Sequence, residues 1–296
     1  MLEFINFYLI PGLVLGSVYA LGAIGISMLF GILRFAHFAH GDMMTLGAYL
    51  ALVAVWGLGV PALVALPLAM IATAAVAVGV DRVFYRPFRG RPTIVIVIAS
   101  FGIALMMRSI IQVVFGVDVI SYQPGIQRPM VFFDALRIAE RHIVFVGGAV
   151  ALVAAMHLFL TRTKTGKAMR AMSDDPDLAR ASGIDTDRTI AWTWVIGASL
   201  AAAGGVFLGM DVQLNVMMGW NMLLPMFAAA VLGGIGRPYG AIAGGMVIGL
   251  AEELATFPWV GTAPLLSPGY KSAVAFAILV AMLIWRPTGL FRGRVF

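Results

Sequence analysis

Nine apolar stretches, separated by short polar segments, make up almost the whole chain. They fall at residues 8–33, 43–56, 61–80, 93–115, 142–160, 189–210, 222–235, 241–257 and 270–285. A helix needs about 20 apolar residues to cross a bilayer core. Most of the stretches come near that length. The second and seventh are short and are candidates for re-entrant helices. The pattern predicts an all-α, polytopic integral membrane protein with about eight to ten transmembrane helices. Residues 1–296 are expected to form a single transmembrane domain.

Composition agrees with the pattern. The chain is 61% hydrophobic and 11% charged, with mean hydropathy +0.97. A soluble domain carries roughly a quarter charged residues, so this chain cannot cover a soluble surface. Its net charge of +6 belongs to topology rather than to nucleic-acid binding, because the basic residues lie in loops between spans. With no cysteine there is no disulfide framework or thiol nucleophile, and no metal site is expected. The first apolar run lacks a basic leader, so no cleavable signal is expected.

Lys and Arg also set the orientation. Residues 82–91 hold four of them, residues 162–188 six, and the tail from Arg286 three. Arg34 and Arg237 fall on the same side. Arg128, Arg137, Arg141 and Lys271 fall on the other, and Arg108 lies inside a span. The richer side is cytoplasmic, which places the N-terminus outside and the C-terminus inside. All six tryptophans then fall near span ends, where aromatic belts form.

The polar segment 162–188 contains a short helix with both ends written into it. Asp174 or Asp175 can cap its start, and Pro176 suits the first helical position. Asp177 places negative charge at the positive end of the dipole. Gly183 can end the helix in a left-handed conformation. Leu178, Ala179, Ala181 and Ile184 supply its apolar material. A helix over 176–182 is too short to be stable alone in water, so it needs a partner surface. Ala179 is expected on the partner-facing side.

Other stretches combine glycine with charge. His37, His40, Gly41 and Asp42 follow the first span. Gly41 can break the backbone and Asp42 can cap the next helix. Two readings stand for this stretch. It is an interfacial turn with snorkelling histidines, or a helix N-terminus that receives a carboxylate at membrane depth. Arg108 either meets a substrate carboxylate or pairs with a buried acid as a strut. Asp211, Glu252 and Glu253 fall near external ends, where water can reach them. Gly233, Gly234, Gly236 and Gly240, with Pro238, make a turn that no continuous helix can cross. It is either a broken helix beside a ligand path or a tight cytoplasmic hairpin. Small residues recur four apart at Gly205 and Gly209, at Gly240 and Gly244, and at Gly245 and Gly249. They allow close helix packing within one subunit or against a second one.

These stretches together resemble one family. Gly16-Ser17-Val18-Tyr19-Ala20-Leu21, followed by Phe38-Ala39-His40-Gly41-Asp42, is similar to the early signature of the branched-chain amino acid ABC permeases, with His37 where the family has Asn. Tyr85-Arg86-Pro87-Phe88-Arg89 resembles its Y-R-P-L-R loop, and Leu232–Ala241 its glycine-rich turn, with Arg237 for Ser. Asp177-Leu178-Ala179-x-x-x-Gly183 is similar to the E-A-A-x-x-x-G coupling loop of importer permeases. The resemblance implies an importer for hydrophobic amino acids, or for urea and amides. It implies Asp177, Leu178, Ala179, Gly183 and Ile184 as ATPase-coupling residues, and His37, His40, Gly41, Asp42 and Arg108 along the translocation path. It also implies a second permease subunit, two ABC ATPase subunits, an extracytoplasmic binding protein, and a place in the bacterial inner membrane.

No nucleotide-binding or catalytic motif accompanies these features. Gly166-Lys167 has no upstream glycine at P-loop spacing. The chain is therefore expected to bind no cofactor, with ATP used by the partner subunits. A stand-alone secondary transporter or channel is the alternative. It would carry paired intramembrane acids or an internal repeat, and neither is evident.

Overall fold

The computed structural model describes residues 2–122, 130–132, 136–259 and 264–293. Helices occupy all nine apolar stretches. In chain order they are α1 (Ile5–Leu33), α2 (His40–Leu58), α3 (Ala62–Phe88) and α4 (Thr93–Phe115). Two three-residue strands, β1 (Met130–Phe132) and β2 (Leu136–Ile138), pair antiparallel before α5 (Glu140–Arg162). Then come α6 (Lys164–Asp174), α7 (Pro176–Ala181), α8 (Thr186–Asp211), α9 (Met218–Gly233), α10 (Pro238–Leu254) and α11 (Lys271–Trp285). Among the described residues, seven helices are long and apolar enough to span a membrane; α9 is shorter and apolar.

The helices are not equivalent. In α1, 89% of the most apolar window is buried, against 6% at the last span. So α1 is a central post, and α11 shows its apolar side chains to lipid. α10, α8, α9 and α5 pack around α1, and α8 also packs on α2 and α3. α4 rests mainly on α2 and on the end of α3. Its outward side chains Ile94, Ile98, Val113 and Val114 are exposed.

Glycine sets the closest approaches. A Cβ at Gly249 would stand 2.3 Å from Gly16 N, and one at Gly245 would stand 2.5 Å from Ala20 N. Either would push α10 off α1. Gly205 lies against the Met44 carbonyl and Gly244 against that of Ala229. These glycines pack inside the subunit, where dispersion and not hydrophobicity holds helices together. None of them forms a face for a second chain.

The basic loops gather at one end. Arg86 and Arg89 reach Asp187. Gly31 lies beside Ser173 and Gly236, and Leu290 N–H bonds the Leu232 carbonyl. By the charge rule this end is cytoplasmic. Arg128 and Arg294, counted in the charge map, lie outside the described residues.

Several elements differ from expectation. α3 runs past Val80 through a π turn at Asp81–Tyr85 and a 3₁₀ turn at Arg86–Phe88. α6 is an additional helix. Thr163 caps it by accepting from Gly166 N–H at 2.9 Å, and Gly166, Met169 and Met172 are its buried side. The external β pair was not anticipated either, since its strands are only three residues long.

The gathered loops can be mapped by labelling, because the chain has no cysteine of its own. Asp177, with a side chain 94% exposed, lies at the basic end, and Val117 is exposed at the opposite one. Val117→Cys should react with an impermeant maleimide in intact cells, and Asp177→Cys only after permeabilisation. The reverse pattern would invert the orientation.

Candidate functional site

α7 is built as its sequence dictates. Asp175 is the cap: its Oδ1 accepts from the Asp177 and Leu178 N–H groups, each at 3.0 Å. Pro176 takes the first helical position. Gly183 has φ +82°, and the Ile184 and Gly183 N–H groups bond back to the Ala179 and Arg180 carbonyls. That pairing satisfies the last carbonyls of the helix in a Schellman closure. Leu178 is 64% exposed, while Ala179 is buried against its own chain at 3%. The expected orientation of Ala179 is therefore reversed. Six residues carry too little periodicity to fix which side faces in. Asp177, Leu178 and Gly183 are the expected coupling residues left on the surface; Ile184 is half-buried.

A charged clasp joins this segment to the end of α3. Asp185 caps α8 by accepting from Arg188 N–H at 3.0 Å. Two residues on, Asp187 accepts from Arg86 Nη2 at 2.7 Å and from Arg89 Nη1 at 2.9 Å. Arg89 Nη2 also bonds Asp81. Exposed pairs alone contribute little, but this one is a four-residue network with Asp81 buried. Behind it, Tyr85 stacks on Trp194 of α8 with ring centroids 5.2 Å apart and planes 5° from parallel. The Tyr85 hydroxyl shares a hydrogen bond of 2.9 Å with His37 Nε2. His37 in turn stands edge-on to Trp194 at 4.8 Å.

His37 and His40 are fully buried. A snorkelling interfacial turn does not describe them. The His37 ring lies among aromatic neighbours, with His40 5.8 Å away between centroids and edge-on to it. The His40 ring fills space left by Gly25: a Cβ there would stand 2.6 Å from His40 Cε1. α2 begins at His40, so Asp42 lies in its first turn and does not cap it. Gly41 is helical and serves close approach. Its Cβ would meet the Gly219 carbonyl at 2.3 Å, and Thr45 Oγ1 accepts from Gly219 N–H at 3.0 Å. Two helix starts, those of α2 and α9, thus touch within the bundle.

Arg108 closes this junction. Its Nε and Nη2 donate to the two Asp42 carboxylate oxygens at 2.9 and 3.0 Å, and its guanidinium lies 4.7 Å from the Trp220 ring centroid. The structure places Arg108 as a strut between α4 and α2. Phe101 packs against Trp220, and Phe38 packs against Phe101 and Phe227. An aromatic face therefore lies beside the ion pair.

The glycine turn is a hairpin at the cytoplasmic end. Gly234 and Gly236 have φ of +103° and +81°, and Gly233 and Gly240 meet backbone to backbone. The tail covers it: Leu290 and Phe291 N–H groups bond the Leu232 and Gly233 carbonyls. At the other end, Glu252 and Glu253 are buried, contrary to the expectation that water reaches them. Tyr19 donates to Glu252 at 2.6 Å, and Lys271 donates to both Glu253 oxygens at 2.7 Å. Asp211 pairs with Arg141 at 3.3 Å. The sequence reading missed the clasp at Asp187 and the tail cap. A signal for the first was present in the Arg86, Arg89 and Asp187 charges; the second had none.

A bundle of closely packed spans, with a capped helix displayed at its basic end, is a multi-pass membrane protein. The chain belongs to the family described as branched-chain amino acid transport system / permease component, which matches residues 8–283. It is 33% identical to the high-affinity branched-chain amino acid transport system permease protein BraD of Pseudomonas aeruginosa, over 95% of this chain and 94% of that one. It is also 33% identical to the LivH permease protein of Escherichia coli, over 94% and 92%. A probable LivH of Methanocaldococcus jannaschii is 27% identical over 94% and 90%. A chain in the structure of PsaBC from Streptococcus pneumoniae in complex with Fab aligns with TM-score 0.49 and 16% identity, over 94% of this chain and 91% of that one.

Two predictions follow from the junction. Arg108→Met leaves Asp42 buried and unpaired, and should cost about 3–5 kcal/mol; adding Asp42→Ala should restore much of it. Thermal unfolding in detergent reads both, and equal loss in the single and double variants would contradict the strut. Gly219→Ala forces α2 and α9 apart and should cost about 1–3 kcal/mol by overpacking, whereas the open Gly102→Ala should be near neutral in the same assay.

Proposed function

We propose that this chain is the permease subunit of an ATP-driven ABC importer that moves hydrophobic, branched-chain amino acids across the bacterial cytoplasmic membrane. The observation that carries the proposal is α7, a helix too short to stand alone, fixed at both ends, with Leu178 held out at the basic end. Such a helix fits a cleft on an ATPase subunit. The printed names of the relatives support the substrate class.

In this reading an external binding protein delivers the amino acid, and two ATPase subunits grip α7 of two permease chains. The second permease covers the aromatic face beside Arg108. An ion pair at that depth is poorly served by lipid, and a protein partner shields it better. Movement of α7 reaches α8 through the Gly183–Asp185 link. It reaches the end of α3 through the Asp187 clasp, then His37 through Tyr85, and α2 behind it. The chain itself contributes geometry and no chemistry.

Reconstituted uptake of labelled leucine, with binding protein and ATPases present, tests this reading. The purified chain alone should hydrolyse no ATP, and robust hydrolysis by a homogeneous preparation would overturn the assignment. Leu178→Asp should abolish both uptake and substrate-stimulated hydrolysis while membrane levels stay normal. Gly183→Val strains a left-handed position by roughly 1–2 kcal/mol and should lower both. Asp187→Arg should reduce uptake more than hydrolysis, and Arg86→Asp in the same chain, which leaves the Arg89–Asp81 pair intact, should recover part of the loss. Full activity of Leu178→Asp and Gly183→Val would remove α7 from the energy path.

A further inference from the structure

At the cytoplasmic end, α1, α5, α6 and the start of α10 enclose a cavity of about 510 Å³. Its floor is apolar, made by Met28 and Ile32 of α1 and Leu160 of α5. Its rim carries three cations, Lys167 and Arg170 of α6 and Arg237 of the glycine turn. An adjoining cavity of about 300 Å³ shares Arg237 and adds Arg292 from the tail. Among the described residues these four cations make no ion pair. Asp174 is the acid that lines both cavities, and it already has a partner. Elsewhere at this end Asp81 and Asp187 hold Arg86 and Arg89, and Asp175 and Asp185 are taken up as helix caps. Among the described residues, no acid pairs with the cations of the cavity.

The cavity also opens sideways. α5 and α10 do not pack along one another here. His157 Nδ1 and the Tyr239 hydroxyl bridge them with one hydrogen bond of 2.8 Å, and both residues are exposed. Leu158 beside them is exposed too. This flank is open at the level where two spans end in Leu33 and Arg162, which the charge rule puts at the inner leaflet. An apolar floor under a cationic rim at that level matches one kind of molecule.

We propose that this cavity binds an anionic phospholipid of the cytoplasmic leaflet. The phosphate lies among Lys167, Arg170 and Arg237, and an acyl chain covers Met28, Ile32 and Leu160. Basic pockets between membrane helices select such headgroups by charge. A soluble phosphate would use the cations and leave the apolar floor bare. A soluble protein docking from the cytosol would meet α7 and not reach a flank inside the bilayer, and the second permease is assigned to the aromatic face beside Arg108. The site does not depend on the transport assignment, since it needs only the membrane orientation. Its occupant would bridge α6, which leads into α7, to the hinge between α9 and α10.

The test uses the full chain in detergent and native mass spectrometry. Dioleoyl phosphatidylglycerol, dioleoyl phosphatidylcholine and inorganic phosphate are the probes. One phosphatidylglycerol should be retained about tenfold more tightly than phosphatidylcholine. Arg170→Gln with Arg237→Gln should lose about tenfold in phosphatidylglycerol affinity, and Arg82→Gln, an exposed charge elsewhere, should lose none. Equal retention of the two lipids would overturn the proposal, as would equal losses in the double variant and Arg82→Gln. Complete displacement of the lipid by millimolar phosphate would make the site one for the free anion instead. The comparison of the two lipids on the unaltered chain decides the matter even if the double variant does not fold.

Discussion

Helices α2 and α9 both begin inside the bundle, and that contact governs the rest. A helix start exposes N–H groups that lipid cannot satisfy. Such starts are tolerated only where protein encloses them. Here Thr45 takes the Gly219 N–H, and the His37 carbonyl takes that of His40. Bare backbone at Gly41 and Gly219 lets the two starts approach. Asp42 adds charge of the favourable sign to the first turn of α2, and that charge then requires Arg108. Arg108 in turn ties α4 to α2, alongside the contacts of Phe101 with Phe38 and Trp220.

The cytoplasmic face is organised differently. There the connections are charged or aromatic and partly exposed, which suits parts that must shift against one another. α7, the start of α8 and the end of α3 form one connected surface through Asp187 and Arg89. Trp194 and Tyr85 carry the contact inward to His37. The glycine contacts of α1 with α10 offer no such play, since backbone against backbone has no slack. The subunit thus has a stiff post and a looser basic rim.

What could be read from the chain follows the range of the physics involved. The ends of α7 were legible because capping is local: Asp175, Pro176 and Gly183 act within a few residues. The nine helices were legible because length and apolarity are local too. The burial of His37 and His40 was not, because it depends on Gly25, Trp194 and Tyr85, far away in sequence. The inward turn of Ala179 was hidden by the brevity of its helix. α6 was hidden because its basic side chains outweigh Met169 and Met172 in any average, although Thr163 marked its start. Glu252 and Glu253 looked wet because they stand near a span end, and only Tyr19 and Lys271 reveal otherwise.

The cover over the glycine turn bears on the order of assembly. The last carbonyls of α9 are satisfied by N–H groups of Leu290 and Phe291, and these residues follow α11 in the chain. While the ribosome still holds them, α9 has already entered the membrane with two acceptors open at its inner end. The hinge therefore closes only after α10 and α11 have been made. Until that moment the α9–α10 corner remains the least settled part of the nascent subunit, and a chain that stopped short of residue 290 would leave it so.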